Sequence, residues 1–132
     1  MKSCLIFFLV TATLLADPTV SILEWKPACD GASIEIIAEG PKILSLRAWA
    51  THSAIIVEWH LHYVDGVPIT AEFREFIRGR IAEGDRAGEY SGINRLKRIA
   101  TYRREKDGFQ IADTTLGQEL ADIFVKAGAQ NR

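Results

Sequence analysis

Apolar and polar residues alternate most regularly between Ile55 and Val64. Val57, Trp59, Leu61 and Tyr63 fall on one side, and Glu58, His60 and His62 on the other. A period of two is that of a strand with one buried face. After Asp65-Gly66 the pattern changes: Phe73, Phe76, Ile77 and Ile81 recur at helical spacing. That spacing predicts an amphipathic helix over 70–84, with its apolar stripe laid on the strand. Thr70 is an acceptable N-cap, Glu72 and Glu75 suit the positive end of the helix dipole, and Gly84 ends it.

Upstream, 17–30 mixes Val20, Ile22, Leu23 and Trp25 with Pro18 and Pro27, which reads as a strand or an extended lead-in. Ser33 to Ala38 and Ile43 to Ala50 flank Glu39-Gly40-Pro41-Lys42, which is strong turn chemistry. With Ile55 to Val64 they form an antiparallel meander, although runs this short also admit a helical reading. Downstream, Ile93, Leu96, Ile99 and Ala100 make a short helical stripe. Glu105-Lys106-Asp107-Gly108 then turns a hairpin between 100–104 and 109–112. A last helix starts at a Thr114 or Thr115 cap, carries Leu116, Leu120, Ile123 and Phe124, and ends near Gly128. The expected fold class is α+β: a small antiparallel sheet, meander plus C-terminal hairpin, packed against two or three helices.

The N-terminus changes the picture of location. Lys2 precedes an apolar or small-residue run from Cys4 to Ala16, followed by Asp17-Pro18. This is the layout of a secretory signal peptide, and a run of about 13 residues is too short to span a bilayer. Residues 1–16 are therefore expected to be a signal peptide and 17–132 one domain, exported to the periplasm or the extracellular space. No transmembrane segment would remain after processing. The alternative is a buried N-terminal strand or helix in a cytoplasmic protein. Cys4 and Cys29 do not decide between them, since removal of the signal leaves Cys29 alone.

Composition is that of an ordinary folded domain, with 48% hydrophobic and 25% charged residues among 132, and it excludes long disorder. The net charge of −1 is uninformative, but its distribution is not. Arg95, Lys97, Arg98, Arg103, Arg104 and Lys106 crowd one segment, interleaved with Tyr102 and Phe109. Such a segment can contact phosphates and stack on bases. The 93–113 stretch and the residues after it resemble the end of a winged-helix DNA-binding domain. The resemblance implies a recognition helix over 93–99, a wing turning at Lys106-Asp107-Gly108, and a closing helix from Thr115. It covers about a quarter of the chain. The long polar loop 85–92 and the apolar N-terminus depart from that pattern.

Candidate chemistry is sparse. Glu58, His60 and His62 share one face of a strand, about 6.5–7 Å apart at successive positions, and zinc takes such ligands. A site would need further groups from elsewhere, and His52 is the one other histidine. Otherwise the three form the wet face of an amphipathic strand. Ser53 beside His52 has no identifiable orienting acid. Glycines 84, 88 and 92 lack the strand and lysine of a phosphate loop. Glu72 and Glu75 are explained by their places in the expected helix. The reading that follows is an exported protein that binds rather than catalyses. Arg95, Lys97, Arg98, Arg103 and Arg104 form its binding surface for an unidentified protein or anionic ligand, and no cofactor is expected. The alternatives are a cytoplasmic winged-helix regulator of DNA and a metal-dependent enzyme at Glu58, His60 and His62.

Overall fold

A computed structural model describes residues 17–25 and 30–130. The signal-peptide expectation for residues 1–16 and both cysteines lie outside the described residues. Seven strands follow in chain order: β1 (Thr19–Glu24), β2 (Gly31–Glu39), β3 (Lys42–Thr51), β4 (Ile55–Val64), β5 (Val67–Arg80), β6 (Tyr90–Glu105) and β7 (Gly108–Phe109). A helix, α1 (Thr114–Gln130), closes the chain. Each strand pairs antiparallel with the next, so the sheet order is the sequence order. The three-strand meander of β2, β3 and β4 is as expected.

The sheet has one dry face and one wet face. A dry cross-strand row runs Leu23, Ile34, Ala48, Trp59, Phe73, Ala100, and the next runs Ile36, Leu46, Leu61, Ala71, Tyr102. Trp59 and Phe73 stack at 5.1 Å between ring centroids. Fully buried alanines at 48, 50 and 71 alternate with these rings and leave depth for a helix over the sheet. α1 fills it with Leu116, Leu120, Ile123 and Ala127, one stripe at i, i+4, i+7 and i+11. The Asp113 side chain caps the helix, accepting from the amides of Thr115 and Leu116 at 3.0 and 3.2 Å. The cap is thus one residue earlier than the expected threonines.

The expected α+β arrangement is overturned at two places, and among the described residues one helix stands where two or three were expected. The 70–84 segment is not a helix but most of β5, and the stripe at 93–100 is part of β6. Asp65 and Gly66 both take positive φ, 51° and 78°, in a two-residue hairpin that pairs Val64 with Val67. That geometry matches the sheet twist and delivers the chain straight back along β4. Pro68 does not break the ladder, because it sits at a register shift opposite Tyr63. On β5 the alternating set Ala71, Phe73 and Glu75 faces the dry side. Phe76 falls on the wet side beside Ile56 and Leu96, which produced the helical spacing by coincidence. With 93–99 extended, no recognition helix exists there, and the winged-helix resemblance fails at its central element. The turn between Glu105 and Gly108 does form, but its second strand has only two residues.

A pair of substitutions separates strand from helix at β5. Phe73→Ala and Trp59→Ala should each cost about 3–5 kcal/mol in urea melts, as truncations of fully buried rings. Phe76→Ala, removing a partly buried ring on the wet face, should cost less, about 1–2 kcal/mol. Equal losses at Phe73 and Phe76 would contradict the register.

Candidate functional site

β6 is the longest strand, 16 residues, and it follows β5 on one side only. On its other side β7 pairs with Arg104 and Glu105 alone. Among the described residues the rest of that edge is unpaired, so alternate N–H and C=O groups point outward. The strand is also uncovered: Ile93, Leu96 and Ile99 are 78%, 49% and 50% exposed.

The hairpin that carries this edge is held rigidly. Arg78 lies 3.4 Å and Arg80 4.2 Å from the Tyr90 ring centroid, so two guanidinium groups contact one ring. Arg78 donates to the Ser53-adjacent carbonyl of His52 at 2.8 Å, and the Tyr90 hydroxyl donates to the carbonyl of Ser53. The far end is thereby tied to the loop between β3 and β4. At Gly79 the backbone of Ile93 comes so close that a Cβ would collide with its carbonyl oxygen. Only glycine fits there. Between 81 and 89 the turn is closed by backbone bonds, including Gly88 N–H to Ile81 C=O at 2.8 Å.

The five sequence-predicted basic residues divide into two groups. Arg98 reaches over the dry face: its guanidinium is 3.3 Å from Glu75, 3.6 Å from Asp113 and 5.1 Å from the Phe73 ring centre. Lys97 occupies a bulge between Glu75 and Phe76 and lies 3.8 Å from the other Glu75 oxygen. Glu75 is only 8% exposed, so these two cations answer a nearly buried carboxylate. Arg95, Arg103 and Arg104 make no ion pair among the described residues. Register places Arg95 on the dry side with Ile77 and Arg103 on the wet side with Thr70. The basic residues are thus spread over both faces of one strand rather than gathered on one.

Glu58, His60 and His62 do share the wet face, as expected, but nothing converges on them as a ligand set. Glu58 is already engaged by His60 Nε2 at 3.2 Å and Arg47 at 3.7 Å, within a row Arg47, His60, Glu72 across β3 to β5. Glu72 is in turn 2.7 Å from Arg74. Among the described residues no group of three or more His, Cys, Asp or Glu comes together. His52, on the loop after β3, belongs to the hairpin clasp instead.

Two acids on α1 were not singled out by sequence reasoning. Trp59 Nε1 donates to Glu119 at 2.7 Å, and Trp25 Nε1 donates to Asp122 at 3.1 Å. Both indoles are fully buried, so each needs an acceptor. That need was the available signal: acids three apart beside the apolar stripe of a helix. Burial pushes the Glu119 carboxyl up from its usual range, with Asp113 and Glu75 adding repulsion; the indole bond and His52 oppose it. A folded state that holds this proton more tightly loses stability as pH rises through its titration. Glu119→Gln keeps an acceptor for Trp59 without the charge. It should raise the urea midpoint at pH 7, with the gain vanishing as pH falls below the ordinary glutamate range. A midpoint lowered at pH 7 would mean that the charge itself is required.

No protein-family model matches the chain, and no curated protein or solved structure matches it either.

Proposed function

We propose that the protein acts by binding, taking an extended segment of a partner protein onto the open edge of β6 as an added strand. The observation that carries this reading is the long edge itself, unpaired among the described residues and flanked there by exposed apolar residues and by arginines that make no ion pair. Strand addition satisfies outward backbone groups, and alternate side chains then set specificity. On the wet side the added strand meets Leu96 and Ile99, which favour apolar residues. On the dry side it meets Arg95 and the Arg98 cluster, which favour acids. The matching ligand is a strand of alternating acidic and apolar residues.

Three features support a peptide over the other occupants. A second copy of β6, antiparallel and centred on the open part of the edge, 90–103, would set Arg95 opposite Arg98, a like-charge contact that destabilises pairing. Duplex DNA would need one basic face, whereas these cations occupy both faces and two of them are engaged by Glu75. The clasp of Tyr90 by Arg78 and Arg80 ties down the far end of the edge before any partner arrives, which lowers the ordering cost of binding. The charged-then-apolar layout before Asp17 supports placing this activity outside the cytoplasm.

The test is fluorescence polarisation with an alternating Glu/Val octapeptide and a 20-base-pair duplex. The peptide should bind saturably. N-methylation along one of its edges should abolish binding, and along the other should not. Arg95→Glu, on the side that meets the acids, should weaken it by about fivefold, the size expected of one reversed cross-strand contact, whereas Arg103→Glu, on the apolar side, should change it little. Insensitivity to N-methylation on both edges, or tighter binding of the duplex, would overturn the reading.

A further inference from the structure

Arg104 lies where β7 has already covered the edge, and it faces a different feature. Between β7, the chain leading into α1, and the helix is a cleft of about 310 Å³. Phe109, Ile111, Leu120 and Phe124 supply apolar walls, Gly117 opens its floor, and Arg104 stands at its border. Phe109 and Phe124 stack at 6.0 Å, so one wall is a pair of nearly parallel rings. The guanidinium of Arg104 makes no hydrogen bond or ion pair among the described residues.

Gly117 has no conformational reason to be glycine. It lies within α1, and a Cβ there would make only ordinary contacts with Ile111 at 3.9 Å. Glycine inside a helix costs about 1 kcal/mol relative to alanine. What it leaves is depth in the cleft. Apolar walls, a missing side chain and one unpaired cation at the border together describe a receptor for an amphipathic anion.

We propose that this cleft binds a medium-chain carboxylate, its alkyl chain between the phenylalanine rings and helix and its carboxylate on Arg104. Size limits the ligand. An apolar cavity of about 150 Å³ holds one benzene ring, so a cleft twice as large accepts about a dozen heavy atoms. Decanoate has that number. Strand addition at β6 and this site use different surfaces, so each can fail without the other.

Calorimetric titration of the full chain with decanoate, decanol and decylammonium tests it. Decanoate should bind one per chain, at least tenfold more tightly than decanol or decylammonium, and more tightly than butyrate. Arg104→Gln should bring decanoate down to the level of decanol, whereas Arg95→Glu should leave it unchanged. Gly117→Leu should abolish binding while the thermal transition persists; if that variant does not fold, Ala121→Leu, lining the same cleft, decides. Equal binding of decanoate and decanol, undiminished binding in both filling variants, or no saturable heat at millimolar decanoate would overturn the proposal.

Discussion

The sheet of this protein buries nothing until α1 lies on it. A meander of neighbouring strands forms a single layer, and a single layer has no interior. Trp59, Phe73, Ile34 and Leu46 become a core only because one helix brings Leu116, Leu120, Ile123 and Ala127 over them. Apolar contact alone does not fix where the helix sits, since a greasy stripe can slide. Glu119 and Asp122 supply the missing directionality by accepting from two buried indoles, one at the end of β1 and one in the middle of the sheet. The two bonds lie one helical turn apart and set both the rotation and the axial position of α1. Part of the cost is visible in the raised pKa of Glu119, a carboxyl held where water solvates it poorly.

One helix of 17 residues is about 26 Å long. It covers the middle of the sheet, and the far half of the β5–β6 hairpin projects beyond it. That half has no helix over it and leaves Ile93 exposed, while Leu96 and Ile99 are exposed on the wet face. Its order comes from other sources: two arginines around Tyr90, the ties to residues 52 and 53, and the close backbone approach at Gly79. A rigid, unpaired, uncovered strand is a liability in most folds. Here the bulge at Lys97 and the row of like charges guard it against a second copy of itself. The same features fit the proposed partner, a strand of opposite charge.

Local pattern gave the meander, the final helix and the core role of Trp59 because each is written in short-range alternation or helical spacing. β5 was misread for a physical reason. Its dry face carries Glu75, an acid stabilised by Lys97 and Arg98 more than twenty residues away, and its wet face carries Phe76. Both break the alternation that identifies a strand. The two-residue Asp65-Gly66 turn was the stronger signal, since it commits the chain to return along β4, but Pro68 masked it. β6 was misread because Ile93, Leu96 and Ile99 are exposed rather than core residues, so their spacing carries no information about burial. The basic segment was identified by composition; that its arginines split between an ion cluster, a free edge and a cleft depends on the register of β5 against β6.

The central claim is that 91–103 is an extended strand bonded on one side only. Residue-resolved amide hydrogen exchange tests it directly. Amides paired with β5 should be protected and those on the open edge should exchange quickly, giving a period of two along β6, while β3 and β4 are protected at every position. Uniform protection across 93–100, as in a helix or a strand covered on both sides, would contradict the account.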